Sequence, residues 1–259
     1  MTFSRKQRIE TAFAGADQYD RHAMVQRRTA ELVANRIAAL ALPNRPRILE
    51  VGCGTGLLAS LCIGRLAHAD WLMTDLSPAM VARCRERFAE QAQARFAVLD
   101  GDDPVFAAPE QPFDLICSNL AAQWFSDLGA SLARLFALLA PRGHLLLSTL
   151  TAGTFATWRR AHAEARLTPG TPAYPTLERL AAMRLGSEAL QVEDFSLQQA
   201  HPSAVDFLRS LKAIGAGTAG PGHRPLTPRQ LATVMRRFEA AGGIAEYEVA
   251  LAHVSRPPA

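Results

Sequence analysis

Ile48-Leu-Glu-Val-Gly-Cys-Gly-Thr-Gly56 joins an apolar run to three alternating glycines, and a helical pattern begins at Leu57. A run of this kind, bounded by glycine, reads as a buried strand that turns directly into a helix. Gly52, Gly54 and Gly56 remove the β-carbons that would keep a ligand away from the backbone. The helix start beyond them presents free amide protons and a partial positive charge. A polar, carboxylate-bearing ligand suits such a turn. The dinucleotide fingerprint requires glycine where this chain has Leu57, which argues against NAD or FAD. A tight strand-to-helix connection without a ligand would use the same glycines, so the turn alone leaves both explanations open.

Outward from the turn, short apolar runs recur at residues 47–51, 71–74, 96–99, 115–117 and 144–150, separated by helical patterns such as 57–66 and 78–91. This alternation predicts a doubly wound α/β fold on a parallel sheet. Two helices, 5–13 and 22–41, come first, and the proline-bearing stretch Ala41-Leu-Pro-Asn-Arg-Pro46 stops the second. After Thr151 the rhythm changes. Helical patterns at 155–166 and 176–185 flank the Pro/Gly/Thr stretch 168–175 and read as an inserted helical cap. A strand at 192–197, a helix at 204–214, a glycine-rich loop at 215–222, a helix opened by Thr227-Pro228 and an alternating strand at 244–254 complete the chain.

The 259 residues, 49% apolar and 20% charged, suffice for one sizeable core. The net charge of +4 is spread along the chain rather than gathered in one stripe, which disfavours nucleic acid and suggests an anionic partner. Cys53, Cys62, Cys84 and Cys117 form no CxxC pair and have no histidines at zinc spacing. Neither a disulfide framework nor a metal is expected, and a reducing cytoplasm fits. The charged N-terminus leads into no apolar signal core, and no apolar run reaches the ~18 residues of a membrane span, so no membrane partner is expected.

Acidic residues mark the ends of the following strands. Met73-Thr-Asp75 places a carboxylate where it can accept both vicinal hydroxyls of a ribose; helix capping is the alternative, and Ser77 suits that role better. Gly101-Asp102-Asp103 follows the next strand, where Asp102 can accept the exocyclic amine of an adenine or simply form a turn. Phe113-Asp-Leu-Ile-Cys-Ser-Asn-Leu120 is a further strand with a polar end.

These four pieces in this order resemble the class I S-adenosylmethionine methyltransferases over residues 47–150. The resemblance implies a mostly parallel, seven-stranded Rossmann-like methyltransferase sheet. It implies S-adenosylmethionine as the cofactor, with Glu50, Gly52, Cys53, Gly54 and Gly56 at the methionine part. Asp75 would hold the ribose, Asp102 would meet the adenine, Asn119 and Leu120 would lie near the sulfonium, and Leu76, Met80 and Asp103 would belong to the same cofactor site. Among Asp100, Asp102 and Asp103, the Gly-Asp order favours Asp102.

Ser118-Asn-Leu-Ala-Ala-Gln-Trp124 differs from the Asn-Pro-Pro-Tyr type of amine-directed enzymes and is similar to the malonyl-acyl-carrier-protein O-methyltransferases of biotin synthesis. Residues 12–20 with Gln26-Arg27, the stretch Ser148-Thr-Leu-Thr-Ala-Gly-Thr-Phe155 and Phe207-Leu-Arg-Ser-Leu-Lys-Ala-Ile-Gly-Ala216 resemble the same family. That resemblance implies methylation of the free carboxylate of a malonyl thioester on acyl carrier protein or coenzyme A. It implies a helical lid at 1–44, a cofactor-binding core at 45–150, the cap at 151–190, and core strands with a substrate helix at 191–259. Arg209 and Lys212, neighbours at helical spacing, would grip the anion; a solvated face of an amphipathic helix is the competing explanation. Tyr19, Gln26 and Trp124 would shape a dry pocket, with ordinary core packing as the alternative for the two aromatics. A carboxylate is already ionised at neutral pH, so no general base and no metal are required. A monomer is expected. Two rivals remain: a small-acid methyltransferase of the trans-aconitate type, and a noncatalytic S-adenosylmethionine-binding assembly protein.

Overall fold

Apolar runs around the glycine turn become strands, and the helices between them begin at residues suited to starting a helix. In this computed structural model the described residues are 4–16, 19–106, 110–220 and 222–258. Asp17 and Gln18, in the N-terminal stretch similar to the family, lie outside them, as do Pro221 of the glycine-rich loop and the first three residues of the charged N-terminus.

The order is α1 (Arg5–Ala14), α2 (Tyr19–His22), α3 (Met24–Ala38), β1 (Arg47–Val51), α4 (Leu57–Cys62), β2 (Asp70–Asp75), α5 (Pro78–Arg87), β3 (Ala94–Val98) and β4 (Phe113–Asn119). Then follow α6 (Leu128–Ala137), β5 (Leu139–Leu150), α7 (Ala156–Glu164), α8 (Leu177–Ala181), β6 (Arg184–Leu185), β7 (Glu188–Ala189), β8 (Gln191–Ala200), α9 (Ala204–Ala213), α10 (Pro228–Ala240) and β9 (Ile244–Ser255). Seven strands form one sheet in the order β3-β2-β1-β4-β5-β9-β8, and β6 pairs with β7 separately. The pairs β1/β2, β2/β3, β1/β4 and β4/β5 are parallel. The reversal of strand order beside β1 is the switch point at which ligands bind in such sheets, outside the carboxyl ends of the strands.

Three capped helices follow from local sequence. Ser77 caps α5 with Pro78 at its first position, Thr227 and Gln230 form a capping box ahead of α10, and Ser203 caps α9. The central strands are buried on both faces: Ile48, Leu49, Trp71, Met73, Leu115 and Ile116 are fully enclosed or nearly so.

Several expectations need correction. The helix expected at 22–41 is α3, which begins at Met24 and stops at Ala38; His22 ends the short α2, and the fully buried Ala23 lies between them. The helix expected at 57–66 ends at Cys62, where the chain turns through Ile63 and Gly64. The stretch 176–185 contains only the short helix α8 before entering the β6–β7 hairpin. Helix α6, that hairpin and the first residues of β5 were not anticipated.

The residues cluster into two compact units. One comprises 1–23, 150–176 and 194–249, and the other 24–149, 177–193 and 250–259. In the first, Phe155, Trp158, Phe207, Phe238 and Tyr247 meet ring against ring with centroids 4.9 to 5.5 Å apart, an aromatic core drawn from α7, α9, α10 and β9. The second is built on the aliphatic packing of β1, β2, β4 and β5. No helix among the described residues is long and apolar enough to cross a membrane.

Candidate active site

The turn after β1 belongs to the second unit, and its geometry depends on two glycines. Gly52 has φ +73°, and a β-carbon there would stand 2.3 Å from the Ala121 β-carbon. Gly56 has φ +84°, and its β-carbon would meet the Phe88 ring at 2.5 Å. The protein's own packing therefore requires glycine at both positions, independently of any ligand. The Cys53 amide donates to the Thr74 carbonyl at 2.8 Å, holding the turn beside the end of β2.

Asp75 closes the arrangement. Its Oδ2 accepts from the Gly54 amide at 2.9 Å and its Oδ1 from the Ser77 amide at 2.8 Å. Ser77, not Asp75, caps α5. Burial raises the Asp75 pKa, and the backbone amides pull against that shift. A carboxylate offers about four acceptor directions, so capacity remains for the hydroxyls of a ribose.

Glu50 sits on the central strand in register with Met73 and Cys117, 1% exposed. Its Oε2 is buried without a hydrogen-bond partner, and burial holds its pKa well above the usual range. An ionisable carboxyl kept in so unfavourable a place next to a ligand turn fits an amino-bearing ligand such as the methionine part of S-adenosylmethionine. The Cys53 thiol is buried, and its pKa is pushed up first by its hydrogen bond with Cys84 and then by burial, so this residue serves the turn through its backbone. Leu76 is half-buried. Met80, in the first turn of α5, is 0% exposed.

The loop after β3 also departs from expectation. Asp102 is 7% exposed, and its carboxylate accepts from the Ser126 amide at 2.9 and 3.0 Å and from the Ser131 hydroxyl at 2.7 Å. Arg134 donates to its carbonyl at 2.8 Å. These partners make Asp102 the anchor of the segment leading into α6, and its oxygens face protein rather than a ligand. Asp103 is 70% exposed beside Arg134. Asp100, directly beyond β3 and half-buried, accepts from the Asp102 amide through Oδ1 at 3.0 Å.

At the end of β4, Leu120 adopts φ +50°, a left-handed conformation that a leucine holds only when surroundings enforce it. The Leu120 amide donates to Ser148 Oγ, Ser148 Oγ donates to Asn119 Oδ1, and Asn119 Nδ2 donates to the Gln26 carbonyl, each at 3.0 Å. Gln123 Nε2 donates to the Leu120 carbonyl at 2.6 Å. Gln26 thus enters through its backbone, with its side chain half-buried, and Trp124 is half-buried in the 3-10 turn Ala122–Trp124. Ser148 was not anticipated as a site residue. Its signal, a serine ending an apolar run, also describes many structural serines.

Gln26 and Trp124 share the unit of the glycine turn, whereas Tyr19, Arg209 and Lys212 belong to the other. Tyr19 is half-buried, with its ring 6.5 Å from that of Phe13. The expected Arg209–Lys212 clamp is divided. Lys212 lines a groove of about 790 Å³, while Arg209, its side chain 75% exposed, pairs with Asp206 at 3.6 Å and is not part of that lining.

Comparison with known proteins sharpens this picture. A methyltransferase-domain family model matches residues 22–204. The biotin biosynthesis bifunctional protein BioCD of Bordetella avium is 44% identical over 244 residues, covering 94% of this chain and 51% of that protein, so the chain spans about half its length. The malonyl-acyl-carrier-protein O-methyltransferase of Magnetococcus marinus is 37% identical over 236 residues, with 91% of this chain and 85% of that protein covered. Among solved structures, phosphoethanolamine N-methyltransferase 2 of Haemonchus contortus in complex with S-adenosyl-L-methionine shares the fold, with a TM-score of 0.61 at 16% identity, covering 100% of this chain and 61% of that one.

Proposed function

This chain belongs to the methyltransferase family that includes the malonyl-acyl-carrier-protein O-methyltransferases, and on that premise we propose that it methylates the free carboxylate of a malonyl thioester carried on acyl carrier protein, in biotin synthesis. The observation that carries the reading is the joined turn, Gly54 bound to Asp75 at 2.9 Å, together with a buried Glu50 oxygen that lacks a partner. S-adenosylmethionine supplies an electrophilic methyl group on a sulfonium. Asp75 accepts the ribose hydroxyls, the backbone of the turn and Glu50 receive the methionine part, and Asn119 and Leu120 lie toward the sulfonium. Asp100 takes the adenine amine in place of the buried Asp102, whose oxygens are turned to Ser126 and Ser131.

Malonyl carboxylate, with a pKa near ~4, arrives ionised and needs no residue to remove a proton. An oxygen–methyl bond forms as the sulfur–methyl bond breaks, leaving the methyl ester and S-adenosylhomocysteine. The chain's contribution is placement and exclusion of water, worth up to about 7–11 kcal/mol in favourable cases. Lys212 contributes positive charge toward the anionic, carrier-bound thioester. The segments 1–44 and 151–190 keep the lid and cap roles that the family resemblance gives them.

Incubation with malonyl carrier protein and S-adenosylmethionine, read by intact-protein mass spectrometry, is expected to add one methyl group that saponification removes. Faster methylation of free malonate or trans-aconitate than of the carrier-bound group would overturn the assignment.

A further inference from the structure

The groove on the first unit is larger than the group to be methylated. A malonyl thioester end has about seven non-hydrogen atoms, fewer than a groove of about 790 Å³ can take, whereas a phosphopantetheine arm has about 22.

The chemistry of the walls points the same way. Trp158, Leu208 and Leu211 supply apolar surface, and the lining contains no aspartate or glutamate. Lys212 lies in the lining with no ion-pair partner among the described residues, an unopposed cation beside an apolar channel. His162 Nδ1 lies 2.9 Å from the Trp158 carbonyl, which leaves Nε2 as an acceptor for an amide proton. The groove wall is braced: Arg159 donates to the Pro172 carbonyl at 3.2 Å and stands over the Tyr174 ring, and the Gly220 amide donates to the Gly170 carbonyl at 2.9 Å. Charge is also uneven between the units. The first has 13 Arg and Lys against 9 Asp and Glu, and the second has 15 of each, so the whole surplus of four lies in the unit that contains the groove.

We infer that this groove binds the phosphopantetheine arm of the thioester substrate, with Lys212 meeting its phosphate and the apolar walls its chain. The inference rests on the carrier-bound substrate proposed above. It assigns binding to the arm rather than to the malonyl end, so recognition is insensitive to what the thioester carries.

Calorimetry on the full chain tests it with 4′-phosphopantetheine, pantetheine without phosphate, and malonate. Phosphopantetheine is expected to bind and to change Trp158 fluorescence. Lys212→Gln should weaken it about tenfold, as loss of a charged hydrogen bond does, while leaving pantetheine affinity unchanged. Gly217 lines the groove, and a β-carbon there would meet only the Lys212 Cα at 3.9 Å, so Gly217→Trp fills the space without backbone strain. That variant should weaken both ligands and raise KM for malonyl carrier protein several-fold, with S-adenosylmethionine affinity intact. No phosphopantetheine binding, binding indifferent to both variants, or malonate binding as well as phosphopantetheine would overturn the inference. If the arm binds as expected yet no methyl is transferred, the groove stands and the proposed reaction falls; if transfer proceeds with KM unchanged in Gly217→Trp, the reverse holds.

Discussion

The turn after β1 and the loop after β3 both leave carboxyl ends of parallel strands in the same unit, and each is accompanied by an acid that the sequence offers as a ligand for the adenosyl group. Their fates differ. Asp75 is fastened to amides at 54 and 77, inside the glycine turn and immediately beyond its own strand. Asp102 is fastened to residues 126 and 131, at the entrance to α6, and becomes internal structure. Both acids have a partner more than twenty residues away, so what separates them is the element each one ties down: the turn of the motif for Asp75, the start of a helix for Asp102.

Substitutions can break or sharpen this contrast. Gly52→Ala should have the largest effect, since it combines φ +73° with a contact at 2.3 Å. A stability loss of about 3 kcal/mol is expected, with S-adenosylmethionine affinity falling beyond calorimetric detection. Adding Ala121→Gly removes the clash but not the strained φ, so recovery should be partial. Asp102→Ala should follow, costing about 2–3 kcal/mol in urea unfolding because it leaves the Ser126 amide and Ser131 hydroxyl unpaired. The companion Asp100→Asn should keep stability within about 0.5 kcal/mol yet weaken S-adenosylmethionine about tenfold, which separates the two acids. Equal loss of affinity in both variants would erase the distinction.

Glu50 gives a pH signature. Burial raises its folded-state pKa above the unfolded one, so ionising it costs stability. That cost is absent below about pH 4, grows as pH rises toward the folded value, and is complete above it. Glu50→Gln removes it. The variant should be more stable than the parent by about 1–2 kcal/mol at high pH, with no gain under acid, while binding S-adenosylmethionine more weakly. Arg209→Ala should matter least, within about 0.5 kcal/mol in stability and about twofold in transfer, because an exposed pair three residues apart contributes little.

The sheet was legible because its strands are continuous apolar runs and the glycines between β1 and α4 impose their own backbone conformation. Helix α6 was missed although Asp127 caps it, accepting from the Ala130 amide at 3.0 Å, and Leu128, Leu132 and Leu135 repeat at helical spacing. The division of Arg209 from Lys212 was not legible, because three-residue spacing on a helix says that two side chains are neighbours without saying which of them a groove adjoins. Nor was the Ser148–Asn119–Gln26 chain of hydrogen bonds, which spans more than 120 residues and depends on how the strand ends align.

Titration calorimetry of the purified chain with S-adenosylmethionine, parent and Asp75→Ala side by side, tests the central claim most directly. One site per chain is expected for the parent, with affinity reduced at least about a hundredfold in the variant, as when two hydroxyls lose a charged acceptor. Uptake of a nicotinamide or flavin nucleotide in its place, or equal S-adenosylmethionine affinity in both proteins, would contradict it.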